Sequence, residues 1–182
     1  MLGGEPLSRS QRADRFAEWL SMLDRLLTEP VASIDGTWFT AVDAHQLPGC
    51  VQQPRAPFTV AAAGPRALAL AARHGSAWVT YGPYGAEASS DDWFAAVADQ
   101  SARLTEALEH AGRNPADLRR TVLFGLEVRW PFESRERYQD TLGRLTDLGV
   151  AEGGVHWPRP DGRGVPGQAV PFVLEEHGLP GR

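Results

Sequence analysis

Residues Ala61 to Gly82 read AAAGPRALALAARHGSAWVTYG, and the reading of this stretch decides the fold. A short apolar strand, Phe58 to Ala62, runs into a turn at Ala63-Gly64-Pro65. An Ala/Leu-rich helix follows, and a second short strand, Ala77 to Thr80, ends in a Tyr81-Gly82 turn. The pattern predicts a β–α–β unit of minimal length. Its glycines stand where strands end, and in parallel α/β proteins those ends face the ligand. Gly64 lets a ligand approach the backbone, and Pro65 suits a first helical turn, where a missing N–H costs nothing. The N–H groups of that turn form a ready anion site. A purely structural crossover has the same pattern, so the unit defines a fold class and not an activity.

The strand–helix alternation extends in both directions. Upstream, Ala13, Phe16, Leu20, Leu23 and Leu27 recur at spacings of three and four, which predicts a helix from about Ser10 to Thr28. Ser8 or Ser10 can cap it, and Pro30 ends it. Val31 to Pro57 reads as irregular apart from a hairpin through Asp35-Gly36. Trp38, Phe39, Leu47 and Val51 in this connection are expected to be buried. Downstream, a helix is predicted from about Asp92 to Ala111, with Gly112 closing it. Thr121 to Val128 reads as a strand buried on both faces. Ser134 caps a helix to Leu148, and a last strand spans about Glu152 to His156. The tail, residues 161–182, is rich in glycine and proline, with a helical turn or two near Val170 to His177.

Composition excludes several function classes. The chain has 182 residues, 42% of them hydrophobic, enough for one substantial core. No apolar stretch approaches the roughly 18 residues of a membrane span. The first residues lack the basic region and apolar core of a signal peptide, and Cys50 is the single cysteine. A cytoplasmic protein without a disulfide framework is therefore expected. The net charge is −5, and all 18 basic residues are arginine. Without lysine, neither a Schiff base nor a phosphate-loop lysine is available. The arginines are scattered and flanked by acids, so no nucleic-acid or membrane surface is expected. The five histidines show no metal-ligand spacing, and no metal site is expected.

Four blocks of sequence together carry a family resemblance. They are Leu2-Gly3-Gly4-Glu5-Pro6-Leu7-Ser8; Arg12-x-x-Arg15-Phe16-x-Glu18; Val31 to Phe39 with Ile34-Asp35-Gly36-Thr37-Trp38-Phe39; and Pro54-Arg55-Ala56-Pro57 leading into the stretch quoted first. In this order and spacing, Leu2 to roughly Trp157 resembles the second half of the bacterial-luciferase-like, flavin- or deazaflavin-dependent oxidoreductases and monooxygenases. The blocks are similar to that family's loop after the fourth barrel strand, its fourth helix, its small hairpin, and its fifth and sixth strands. The resemblance implies an α/β fold, a partial (half) TIM (β/α)₈-type barrel. It would have four parallel strands, Phe58–Ala62, Ala77–Thr80, Thr121–Val128 and Glu152–His156, with flanking helices and a small hairpin insertion. A complete barrel has eight strands and typically about 250 residues. The expectation is one truncated domain over residues 1–182, lacking barrel strands one to four. It would be completed as a homo-oligomer or by a partner chain, because bare sheet edges invite pairing.

The resemblance also implies a site. The cofactor would be FMN or a deazaflavin of the coenzyme F420 type, and the partner a small organic substrate. Glu5 matches a glutamate proposed to donate a proton near the reacting ring in deazaflavin-dependent sugar-phosphate dehydrogenases, which makes it the candidate general acid. Ser8 matches a polar position that contacts the ring. Ala63, Gly64, Thr80, Tyr81 and Gly82 match positions holding the phosphate and ribityl chain, and Arg66 could add charge. Where deazaflavin members often carry a lysine this chain has Pro83, a departure that weighs against a deazaflavin and leaves FMN at least as well supported. His156 and Trp157 end the last strand facing substrate, with Arg159 placed to meet an anionic ligand. The alternative implied is a non-catalytic half-barrel that binds flavin or serves as a partner subunit, or an inactive fragment.

Overall fold

The computed structural model describes residues 6–83, 89–126 and 128–179. Helix α1, Arg9–Thr28, starts one residue ahead of the sequence expectation because Ser8 caps it. The Ser8 hydroxyl accepts the Gln11 N–H at 3.2 Å, and the Gln11 side chain accepts the Ser8 N–H at 2.9 Å. This reciprocal pair satisfies two of the donors that a helix start leaves bare.

Strands β1, Val31–Asp35, and β2, Thr40–His45, form the antiparallel hairpin. Its turn folds around one carboxylate from α1: Glu18 accepts the N–H groups of Thr37, Trp38 and Phe39 at 3.0, 2.7 and 2.8 Å. The Trp19 ring lies 5.2 Å from Phe39 beside it. Beyond the hairpin one expectation fails, because Leu47 and Val51 are 82% and 93% exposed. The segment carrying them passes outside both hydrophobic clusters, and apolar character alone cannot create a surface to bury against.

The main sheet has four parallel strands, β3 (Thr59–Ala61), β4 (Ala77–Thr80), β5 (Arg119–Phe124) and β6 (Glu152–Val155), in that spatial order. Helices α2 (Pro65–His74), α3 (Ser90–His110) and α4 (Arg135–Asp147) connect them. A terminal helix, α5 (Val170–Glu176), packs on α4, where the Tyr138 hydroxyl meets His177 Nε2 at 2.9 Å. The fifth helical segment is the turn or two expected in the tail. The third barrel strand is shorter than the sequence suggests. The chain turns back at Gly125, whose N–H donates to Val128 O at 3.1 Å, and the apolar run continues into the core as loop.

Alternation along the strands divides the sheet into two faces. Val60, Trp78, Thr80, Val122 and Phe124 are buried against the helices. One cluster joins Leu20, Leu68, Trp78, Leu104 and Leu108; the other joins Trp93, Val97, Phe124, Phe132, Tyr138 and Val173. On the opposite face Thr59 and Ala61 are exposed, and Val79, Thr121 and Leu123 are half-buried. Arg119 and Glu152 pair there at 3.0 Å, with the Thr121 hydroxyl donating to Glu152 at 3.2 Å. That second face is the one a closed barrel fills with layered side chains.

Candidate functional site

All four parallel strands end at the same side of the sheet, so four loops converge there. The loop after β3 holds Ala62, Ala63 and Gly64. Gly64 precedes Pro65 at the start of α2, and among the described residues no side chain caps that helix. The first turn therefore presents unsatisfied N–H groups with the positive end of the helix dipole behind them. Space around Gly64 is open, since a Cβ there would meet nothing within 4 Å.

The loop after β4 is built more tightly. The buried Thr80 hydroxyl donates to Gln100 Oε1 on α3 at 2.5 Å and accepts the Gly82 N–H at 3.1 Å. Gly82 has φ +75°, and a Cβ there would sit 2.4 Å from Trp93 Nε1, so both conformation and space require glycine. The Trp93 indole N–H donates to Tyr81 O at 3.2 Å, which fixes the turn from below.

That turn projects Tyr81, 45% exposed, across the strand ends. Its ring stacks on His156 after β6, with centroids 5.8 Å apart and planes 16° from parallel. His156 Nε2 is buried and, among the described residues, has no hydrogen-bond partner. Beside Tyr81 lies an apolar cavity of about 220 Å³, lined by Pro83, Leu123, Phe124, Gly125, Leu126 and Val128. Such a cavity can hold one flat ring portion of a ligand and keep water from it.

The sequence-derived residues divide accordingly. Tyr81 and His156 are brought together, and Thr80 and Gly82 share their turn. Ala63 and Gly64 occupy the neighbouring loop. Arg66 points instead to α1, pairing with Asp14 and approaching the Ser10 hydroxyl at 3.4 Å. This links the starts of α1 and α2, so Ser8 lies at the start of the helix that meets the Gly64-Pro65 turn. Trp157 is 54% exposed and, among the described residues, joins no aromatic stack. Glu5 lies outside the described residues. The cavity residues Leu123, Leu126 and Val128 were read as strand core, because an apolar run does not announce a turn within it. Gln100 was missed although its signal is legible: an amide on the apolar stripe of a helix must find a buried partner.

Among the described residues no group of three or more His, Cys, Asp or Glu side chains could hold a metal ion, and no helix is long and apolar enough to cross a membrane. The site is thus one of uncapped backbone donors, an apolar slot and a stacked Tyr–His wall at the ends of parallel strands.

The luciferase-like monooxygenase family matches residues 2–160, and the chain belongs to that family. No curated protein gives a significant match. Among solved structures, an F420-dependent secondary alcohol dehydrogenase in complex with an F420-acetone adduct is similar at TM-score 0.62 and 14% identity, over 84% of this chain and 58% of that one. A coenzyme F420-dependent tetrahydromethanopterin reductase from Methanopyrus kandleri is similar at TM-score 0.61 and 14% identity, over 90% and 62%. A long-chain alkane monooxygenase is similar at TM-score 0.64 and 11% identity, over 97% and 58%. The chain therefore spans less than two thirds of each of these proteins, and the shared fold is consistent with a partial barrel.

Proposed function

We propose that this chain binds FMN or a deazaflavin of the coenzyme F420 type at the C-terminal ends of β3 to β6, as part of an oxidoreductase or monooxygenase acting on a small organic substrate. The observation that carries the reading is the open, uncapped turn at Gly64-Pro65 in the loop next to the Tyr81 turn and its apolar cavity. A phosphate suits the turn, and a planar ring suits the slot. When bound, such a cofactor supplies hydride transfer or, for a flavin, oxygen activation.

The roles of this chain's own residues follow from their placement. The N–H groups at the start of α2 hold the anionic end, while Ala63 and Gly64 leave room for it. Thr80 and Gly82 shape the turn that presents Tyr81, and Tyr81 with His156 forms the wall against which substrate lies. Trp157 extends that wall outward. Ser8 and Arg66 hold the α1–α2 junction beside the cofactor's path. Glu5 enters the proposal as general acid on the family resemblance. The cytoplasm is the proposed location, and a second copy or a partner chain is proposed to cover the open sheet face.

Titrating FMN, and separately a deazaflavin, with the purified protein tests the reading. The expected result is saturable quenching of the cofactor's fluorescence at micromolar protein. Fluorescence unchanged for both cofactors would overturn it.

A further inference from the structure

A second cavity, of about 500 Å³, lies between the loops that follow β5 and β6. Three arginines line it: Arg129 from the first loop, Arg159 and Arg163 from the second. Phe132 and Val165 are buried and give it an apolar floor. Its one acidic side chain, Glu133, is already engaged by Arg137 at 3.3 Å. Among the described residues none of the three guanidinium groups has an ion-pair partner. Arg25, Arg55, Arg66, Arg103, Arg119, Arg135, Arg137 and Arg144 all have one. Other arginines, such as Arg12 and Arg73, also have no ion pair among these residues; what sets these three apart in a chain of net charge −5 is that they line one cavity.

The backbone holds two of them in place. Arg159 N–H donates to Arg163 O at 2.9 Å, and Gly162 N–H returns to Arg159 O at 3.0 Å, closing a short turn. Val165 N–H donates to His156 O at 2.8 Å and ties that turn to the end of β6. Gly164 has φ +88°, and a Cβ there would lie 2.2 Å from Trp157 O, so only glycine permits this approach. The turn also carries Asp161, whose carboxylate accepts the Arg163 N–H at 3.0 Å, and three cations against that one acid leave the cavity favourable to an added anion. Guanidinium forks match the paired oxygens of phosphate and carboxylate. The cavity exceeds the size of a bare inorganic anion, which fits the charged end of a larger organic molecule.

We propose that this cavity is a binding site for the multiply charged oxyanion end, phosphate or carboxylate, of a small-molecule ligand. It is built from different loops than the Gly64 turn and does not depend on the cofactor reading. Isothermal titration calorimetry at constant ionic strength, with sodium pyrophosphate in one arm and sodium citrate in the other, tests it. Saturable submillimolar binding of at least one anion is expected, and the tighter of the two identifies the oxyanion class. The double variant Arg159→Gln/Arg163→Gln and the single variant Arg129→Gln should each bind at least about tenfold more weakly. Arg73→Gln on the exposed end of α2, which loses one charge as Arg129→Gln does, should bind as the parent does. Circular dichroism checks that each variant stays folded. No saturable heat with either anion, unchanged affinity in the double variant, or an equal loss in Arg73→Gln would each overturn the proposal.

Discussion

Thr80 has a hydroxyl with two neighbours, the Gln100 amide oxygen and the Gly82 N–H, and the residue is only 3% exposed. The family resemblance makes it a ligand donor. The structure shows that its hydrogen donates inward to α3. This gives a prediction that separates the two roles. Thr80→Val leaves the Gln100 oxygen and the Gly82 N–H without their partner, at a cost of about 1–3 kcal/mol. Urea unfolding without any ligand should show that loss, and Thr80→Ser should recover most of it. Unchanged stability in Thr80→Val would mean that the hydroxyl serves only a ligand. The sequence thus locates the turn through its strand-ending pattern. It cannot reveal that Gln100, twenty positions away, consumes the donor, since that depends on how α3 crosses the sheet.

At the scale of elements, one part-buried cluster ties α1, the segment before β3, and α2 together. Asp24 pairs with Arg55, and Arg55 Nη2 donates to His74 O at 2.9 Å while its guanidinium lies 3.5 Å over the Phe58 ring. His74 Nδ1 is 3.6 Å from Asp24, its side chain is 10% exposed, and its buried Nε2 has no hydrogen-bond partner among the described residues. Burial lowers the His74 pKa below its ordinary value of 6.5, outweighing the upward pull of Asp24. The folded state therefore favours neutral imidazole. Stability from this group is fully present above pH 6.5 and is lost as the pH falls through the lowered folded-state value. Urea midpoints should fall from neutral pH toward about pH 5, the window in which histidine titrates, and His74→Gln should flatten that part of the profile. An equally steep profile in the variant would assign the loss to other groups. Tyr138, pushed up to about 12 chiefly by burial, stays protonated throughout. The helices themselves were legible: Ser134 caps α4 as expected, and α3 starts at Ser90, two residues ahead of the expected Asp92, with Ser89 as its cap. The Asp24–Arg55–His74 cluster was not, because its members share no local spacing.

At the scale of the whole molecule, the four-strand sheet in sequential order was legible from the βα alternation, since parallel neighbours need crossover helices. A partner for its second face was not legible, because nothing in these elements encodes one. Among the described residues the outer edges of β3 and β6 pair with no strand, and Thr59 and Ala61 face solvent. Unpaired strand edges are templates for further pairing. A charge blunts them, and the Arg119–Glu152 pair protects only the lower part of this face. The upper part, from Ala61 across Val79 to Leu123, carries no charge. If a second copy covers it, sedimentation should report a mass above that of one chain, with association rising across the micromolar range. Ala61→Lys would place an ammonium group at the uncharged edge of β3, where burial without a partner is costly. That variant should shift the population toward single chains while leaving the circular dichroism spectrum unchanged. A parent protein that sediments as a single chain at every concentration would instead leave this face to a different partner. Association that persists unchanged in Ala61→Lys would place the contact elsewhere, with the exposed Val42, Leu47 and Val51 as the next surface to alter.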